Sequence, residues 1–452
     1  MCRENTVTSH LLSWLFSEYE RRGIAYCVLR NYQGLPHKTG RDVDILISPK
    51  SLVENERVLV EGCRRFGGLF LRRAKGYLYR SYLLFFAGTE AEILLLDFHG
   101  SLEEAGIVYF SAQDALRARI RHPGGFYVLE PTIEGVHLLM HSIFGVVPVQ
   151  TKYSSVILDA FRLNPERFRF FLEGMLGSDL ARIACSVMKE GRFEGLITLR
   201  GRISRRFLRR PSVCANALIH RAGSRLRRLK GFLRPPGLFV VLVGPDGVGK
   251  STCAAEVKEI LGRAVRVVHW HLGFRPVILP ARKRIGSEGS RSAVPETQGG
   301  SNTERGTREL KGVLGVLRLA YHLLDYLLAY YLRIVPEVAR GSIVIGERYI
   351  FDYYVDPARK GLHLPLWLTR ASIALMPKPS LTILLHDESD AIYARRQELS
   401  VSEIQRQIAL YRYIGHSLSN FAEVKTRGIR ETAIEVTRCI VKRWGQRCIQ
   451  LR

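Results

Sequence analysis

The sequence predicts an α/β protein in two parts: a C-terminal parallel sheet with helices on both faces, and an N-terminal α+β domain carrying a helical extension. Three observations predict it. Leu238–Val243, Val265–Val268, Ser342–Ile345 and Leu381–Leu385 are short, continuous apolar runs with helical patterns between them. Such runs fit parallel strands buried on both faces. Nearer the start, apolar runs between Cys27 and Ser48 and from Ala91 to Phe98 are bounded by Gly, Pro and Asn, and helical periodicity follows from Pro131 to Lys189. Arg200 to Arg234 then holds twelve Arg or Lys residues and no acid, closing on Pro235-Pro236. The expected boundaries are 1–128 for the first domain, 129–199 for the helical extension, 200–236 for a basic linker and 237–452 for the second domain.

Composition narrows the partners. A chain of 452 residues is too long for one core, and 46% hydrophobic with 24% charged residues excludes global disorder. The 68 Lys+Arg outnumber the 42 Asp+Glu, and a net charge of +26 implies an acidic partner: nucleotide phosphates, nucleic acid or an anionic membrane face. The eight cysteines lack any C-x-x-C pair, as expected of reduced thiols in a cytoplasmic protein. Glu18, Glu20, Arg21 and Arg22 follow the first apolar stretch too closely for a signal sequence. The longest apolar segment, Val313 to Val335, carries Arg318, His322, Asp325 and Arg333. Central charges cost about 2.5–3.5 kcal/mol each in a bilayer, which disfavours a membrane span.

In the first domain, Gly40-Arg41-Asp42-Val43-Asp44-Ile45-Leu46-Ile47 places Asp42 and Asp44 on one side of a strand, because side chains repeat every two residues. Asp97 ends the run Ile93–Leu96 and continues into Phe98-His99-Gly100. Two acids on one strand and a third on a neighbour suit the paired Mg²⁺ ions of nucleotidyl transfer. The pattern resembles the nucleotidyltransferase fold, in the subgroup with Asp-x-Asp-Leu-Leu-Val and Asp-Leu-His-Trp strings. The resemblance implies Asp42, Asp44 and Asp97 as metal ligands. The Gly-Ser turn usual before the acids is absent, and Leu29-Arg30-Asn31-Tyr32 takes its place. An active transferase and a binding domain that kept its acids both remain open readings. In the helical extension, Leu138, Leu139, Ile143, Phe171, Leu172 and Met175 are the apolar-face candidates.

The linker cations cannot be buried without partners, so they face water or an anionic partner. Phe207, Leu208, Leu218, Ile219, Leu226, Leu229, Phe232 and Leu233 lie among them. This composition fits either a solvated tether or a basic segment lying on an anionic membrane. Nucleic acid is less favoured, because only Phe207 and Phe232 are available for base stacking.

The second domain opens with a phosphate loop. Gly244-Pro245-Asp246-Gly247-Val248-Gly249-Lys250-Ser251-Thr252 satisfies G-x-x-x-x-G-K-[ST], with an apolar strand before it and a helical stretch, Thr252 to Leu261, after it. Glycines let backbone N–H groups curl around an anion, and the following helix points its positive end at the phosphates. Lys250 is expected on the β/γ-phosphates, and the Ser251 hydroxyl on Mg²⁺.

With an acid in mid-loop, this string resembles the thymidylate kinases and their relatives, and the likeness runs through the rest of the chain. Gly346-Glu347-Arg348-Tyr349 resembles that family's Asp-Arg-Tyr element, and Leu381–Leu385 followed by Arg395-Arg396-x-Glu398-Leu399 resembles its last strand and lid. The resemblance implies an ATP- and Mg²⁺-dependent kinase. Gly244, Gly247, Gly249, Lys250, Ser251 and Thr252 would hold the nucleotide, and Ser251 and Glu347 the metal. Lys250, Asp246, Glu347, Arg348, Arg395 and Arg396 form the catalytic set, with Arg348 clamping the acceptor and the lid arginines supplying the cation that the loop lacks. Two segments depart from the family. Ile350-Phe351-Asp352-Tyr353 replaces the Ser/Ala-Tyr-Gln stretch, and His269-Trp270-His271 stands near where Arg-Glu-Pro is usual. The acceptor therefore stays open among a nucleotide, a nucleoside and a sugar-like alcohol.

Arg318, His322 and Asp325 share one helix face and are candidates to line the acceptor site, while His269 and His271 could face one side of a strand. Gly286 to Gly306, rich in Gly, Ser, Thr and Glu, reads as a mobile surface insertion. A competing reading makes the loop a nucleotide switch and the linker its grip on nucleic acid or membrane. The lid and the Glu347-Arg348 pair favour the enzyme.

Overall fold

A computed structural model describes residues 6–75, 78–104, 107–144, 151–191, 194–208, 219, 222–223, 225–226, 231–232, 234–272, 278–279, 310–357, 362–363 and 365–450. The insertion expected at 286–306 lies outside them. The chain divides into two compact units, Met1–Leu229 and Lys230–Arg452.

In the N-terminal unit, α1 (Val7–Arg21) leads into β1 (Tyr26–Val28) and β2 (Val43–Ile47), and α2 (Leu52–Arg65) into β3 (Leu69–Lys75), β4 (Tyr79–Ala87) and β5 (Ala91–His99). The hairpin β6 (Ser101–Glu104) and β7 (Ile107–Ser111) precedes α3 (Ala112–Arg117), β8 (Ile120–His122) and β9 (Phe126–Val128). Seven strands form one mixed sheet, in the order β3-β4-β5-β2-β1-β9-β8. Alternation along the strands feeds two cores. Tyr26, Val28, Ile45 and Ile47 pack with Leu11, Leu15 and Leu59 of α1 and α2. Cys27 and Leu46 point the other way, into a core shared with the helical extension.

That extension is α4 (Pro131–Phe144), α5 (Ser154–Leu163), α6 (Pro165–Leu176), α7 (Ser178–Lys189) and α8 (Glu194–Leu208). Leu138, Leu139, Ile143, Leu172 and Met175 are buried in it as expected, while Phe171 is only partly covered. The helix α8 corrects the linker boundary at 200. Its Leu199 and Ile203 are buried in the N-terminal core, so the helical extension runs on to Leu208. Two apolar residues four apart give the helix one buried edge, and its arginines take the others. Of the remaining linker apolar residues, Ile219, Leu226 and Phe232 are described, and all three are exposed.

The C-terminal unit is built on β10 (Leu238–Val243), β11 (Val267–His271), β13 (Ile343–Glu347), β15 (Leu381–His386) and β16 (Phe421–Lys425). All pair in parallel, in the order β11-β13-β10-β15-β16. The central strand β10 is buried at all six positions, as a run apolar on both faces requires. On one face lie α9 (Lys250–Gly262) and, at the chain end, α16 (Ile429–Gln450), tied together by Arg430 and Glu256 at 2.8 Å. The other face holds the core of Phe239, Val241, Leu319, Tyr349, Tyr353 and Tyr411. The two-residue pair β12 (Leu310–Lys311) and β14 (Leu362–His363) is separate. It flanks α10 (Gly312–Ala329), α11 (Val335–Ala339) and α12 (Asp352–Val355); α13 (Leu366–Leu375), α14 (Ser389–Arg395) and α15 (Val401–His416) complete the unit. By length and composition, the continuous helix Gly312–Ala339 could cross a membrane, yet His322, Asp325 and Tyr326 on it are buried in this unit.

Several strands differ from expectation. The strand expected at Val265–Val268 starts at Val267, because the Val265 N–H still closes the preceding helix on the Leu261 carbonyl at 2.9 Å. The one expected at Ser342–Ile345 runs on through Glu347, which makes that acid the last residue of β13 rather than a residue beyond it.

Candidate functional site

The phosphate loop leaves the end of β10, where backbone constraints explain its glycines. Gly244 has φ +146°, and a Cβ there would stand 2.4 Å from the Leu385 carbonyl oxygen. Gly247, at φ +86°, would press a Cβ against that of Arg396 at 2.9 Å. Gly249, also left-handed, opens α9. Lys250 is buried and folds back on the loop, its Nζ donating to the carbonyls of Gly244 and Pro245, each at 2.8 Å. Burial first, then the neighbouring Arg348, lowers its pKa to about 7.

Ser251, on the first turn of α9, donates its hydroxyl proton to Glu347 at 2.5 Å. Pairing of β11 with β13 sets His271 beside Glu347. His269 Nε2 stands 2.6 Å from one carboxylate oxygen, and His271 Nδ1 lies 3.5 Å from the other. Burial opposes ionisation of Glu347, but the contacts from His269, His271 and Ser251 outweigh it and hold the carboxyl well below its usual range. Ser251 and Glu347 thus offer converging oxygens of the kind that a hard divalent cation takes.

Arg348 adopts φ +64°, a sparsely populated conformation for a side-chain-bearing residue. Its guanidinium bonds Asp246 of the loop and Asp352 at 3.4 Å, and Asp352 also accepts from the Tyr411 hydroxyl at 2.9 Å. The expected lid pair separates. Arg396 overlies Gly247, contributes to the field on Lys250, and binds Glu398 at 2.8 Å. Arg395 instead holds Asp387 at 2.5 Å and Thr426 at 3.3 Å, at the ends of β15 and β16. Thr252 follows on α9 and is exposed. Arg318, His322 and Asp325 do share a helix, but Asp325 accepts the backbone N–H groups of Ile278 and Leu279 at 2.8 and 2.7 Å. Asp325 thus holds the backbone of those two residues.

In the N-terminal unit the three expected acids do converge. Asp44 and Asp97 are register partners across β2 and β5, and with Asp42 they bring carboxylate oxygens within 4.8 Å of one another. One oxygen of Asp97 is buried without a hydrogen-bond partner among the described residues. Arg30, from the segment replacing the usual turn, donates to Asp44 at 2.6 Å, and His99 lies 3.2 Å from the same carboxylate. Burial opposes ionisation of Asp44, yet His99 and then Arg30 outweigh it and hold its carboxyl well below the usual range. Asp42 is pushed up, by burial and then by Asp44 and Asp97. Sequence reading missed what lies behind Arg30: His141 of α4 at 2.6 Å, itself 2.7 Å from Glu104. Nothing in the local strings of residues 104 and 141 signals that contact.

No protein-family model matches the chain. Among curated proteins, a thymidylate kinase from Xanthomonas euvesicatoria pv. vesicatoria (strain 85-10) is 29% identical over 153 residues. The match covers 34% of this chain and 58% of that kinase, less than two thirds of the relative's own length. Together with the phosphate loop, the likeness supports a kinase-like region with a nucleotide-binding site in this chain.

Proposed function

We propose that the C-terminal unit is an ATP-dependent phosphotransferase that phosphorylates a small acceptor: a nucleotide, a nucleoside or a sugar-like alcohol. The observation that carries the reading is the loop from Gly244 to Ser251, closed on a buried Lys250 with Glu347 opposite Ser251. Lys250 leaves its own loop carbonyls for the β/γ-phosphates, while the loop N–H groups and the start of α9 take the remaining phosphate charge. Ser251 and Glu347 are the residues placed to hold Mg²⁺, which would neutralise charge on the transferring group. Arg348 is positioned to turn from Asp246 and Asp352 toward the acceptor, and Arg396 is the lid cation nearest the loop. The likeness to a thymidylate kinase supports this class and leaves the acceptor open. The test is phosphoryl transfer from ATP to a panel of nucleotides, nucleosides and sugars. Lys250→Ala should abolish transfer with the fold intact, and a folded variant that retains full transfer would overturn the reading.

For the N-terminal unit we propose a divalent-cation site at Asp42, Asp44 and Asp97, with nucleotidyl transfer as the chemistry its acids suit. Arg30 occupies part of that site electrostatically, so binding requires it to yield Asp44. Titration with Mn²⁺, followed by electron paramagnetic resonance, should show saturable binding that Asp97→Asn abolishes. Unchanged binding in that variant would refute the site.

A further inference from the structure

A second cavity in the C-terminal unit, about 260 Å³ in volume, lies between α13, the turn Met376–Pro379 and the end of α15. It is not part of the nucleotide site. The turn leads into β15 and the end of α15 leads toward β16, so both border the starts of these strands, whereas the phosphate loop follows the end of β10. In a sheet whose strands all run parallel, those are opposite ends, and Tyr349, Phe351 and Tyr354, which follow the end of β13, line the cavity from the loop's side.

The wall is aromatic and aliphatic, with Tyr349 and Met376 buried beneath it, and among the described residues its charged members are Arg370 and Lys378. Arg370 is held in place. Its guanidinium sits 5.6 Å from the ring centres of both Tyr354 and Tyr413 and donates to their hydroxyls at 3.2 and 3.3 Å. A cation propped between two rings at the mouth of an apolar cavity is arranged to receive an anion whose body enters the cavity. Among the described residues the lining holds no acid, which selects the same charge.

We propose that this cavity binds a small planar aromatic molecule bearing one anionic group, with the ring against Tyr349 and Met376 and the anion on Arg370 and Lys378. The site has a mechanical link to the phosphate loop. Tyr349 is the residue after Arg348, and its hydroxyl spans to the Pro377 carbonyl at 2.7 Å, inside the cavity wall. A ring that displaces the Tyr349 side chain therefore pulls on the strained backbone of Arg348. The proposal is independent of which acceptor the kinase reading assigns.

The test is calorimetric titration of the full chain with 2-naphthoate, whose carboxylate has little to gain from a triphosphate loop. Binding at one site per chain is expected. Arg370→Ala, at an exposed position, should weaken it by about tenfold or more, the scale of a lost charge-assisted contact. Ala374→Trp, which fills the cavity from its rim, should abolish it, and Lys250→Ala should leave it unchanged. No saturable binding, equal affinity in both cavity variants, or loss in Lys250→Ala would each overturn the proposal.

Discussion

Lys250 carries the clearest consequence at the level of single residues. Burial, then the neighbouring Arg348, lowers its pKa to about 7, which brings loss of its charge down toward neutral pH in the nucleotide-free protein. Phosphates favour the charged form, so nucleotide binding must draw in a proton once the pH exceeds that value. Affinity for ATP should therefore fall as pH rises from about 7.5 to 9, a range in which the phosphates stay fully ionised. Calorimetry in buffers of different ionisation enthalpy would register the proton uptake; a flat profile would show that Lys250 is already charged. The two lid arginines should also differ. Under the proposed phosphotransfer, Arg396→Ala should lower kcat, because Arg396 lies over Gly247 of the phosphate loop. Arg395→Ala removes the tie to Asp387 and Thr426, and should act on thermal stability with little change in kcat. Steady-state kinetics beside a melting curve separates them, and equal losses of kcat would remove the distinction.

At the scale of elements, α8 offers the sharpest test, since a segment that reads as basic tether begins as a core helix. Ile203 is completely buried in the N-terminal unit. Ile203→Ala should destabilise that unit by about 2–5 kcal/mol, against roughly 0.5 or less for a residue on a solvated tether. Denaturant unfolding read from N-terminal fluorescence decides between them. The sequence hid this helix because arginines surround its two core positions and mask the period. The strand β16 escaped notice for a related reason: at the sheet edge it carries Glu423 and Lys425, and an edge strand need not be apolar. By contrast, β10 was legible residue for residue, because burial on both faces leaves no room for polar side chains. Motif residues that are neighbours in sequence, such as Lys250 and Ser251, were equally legible. Pairings that depend on register were not. His269 and His271 stood out as a pair, but their contact with Glu347 follows from the alignment of β11 with β13, which no local pattern encodes.

For the whole molecule, the net charge of +26 suits an anionic partner. Ile219, Leu226 and Phe232 stand exposed among the arginines of the linker segment, and we propose contact with anionic lipid as one reading of that composition, beside a solvated tether. Co-sedimentation with phosphatidylglycerol-rich vesicles should show binding that fades as salt screens the charges and disappears when the linker arginines are neutralised. Failure to bind at low salt would leave a solvated tether. The order of strands in the C-terminal sheet has a different kind of consequence, one for the ribosome. Both neighbours of β10 come later in the chain, the nearer one, β13, about a hundred residues on. Translation at roughly 5–20 residues per second leaves that six-residue apolar strand without its partners for about 5–20 s after it is made. During that interval the nascent chain displays an unpaired apolar strand, a kind of segment prone to aggregate, so yields in expression should depend on chaperone supply during synthesis more than on the stability of the finished fold.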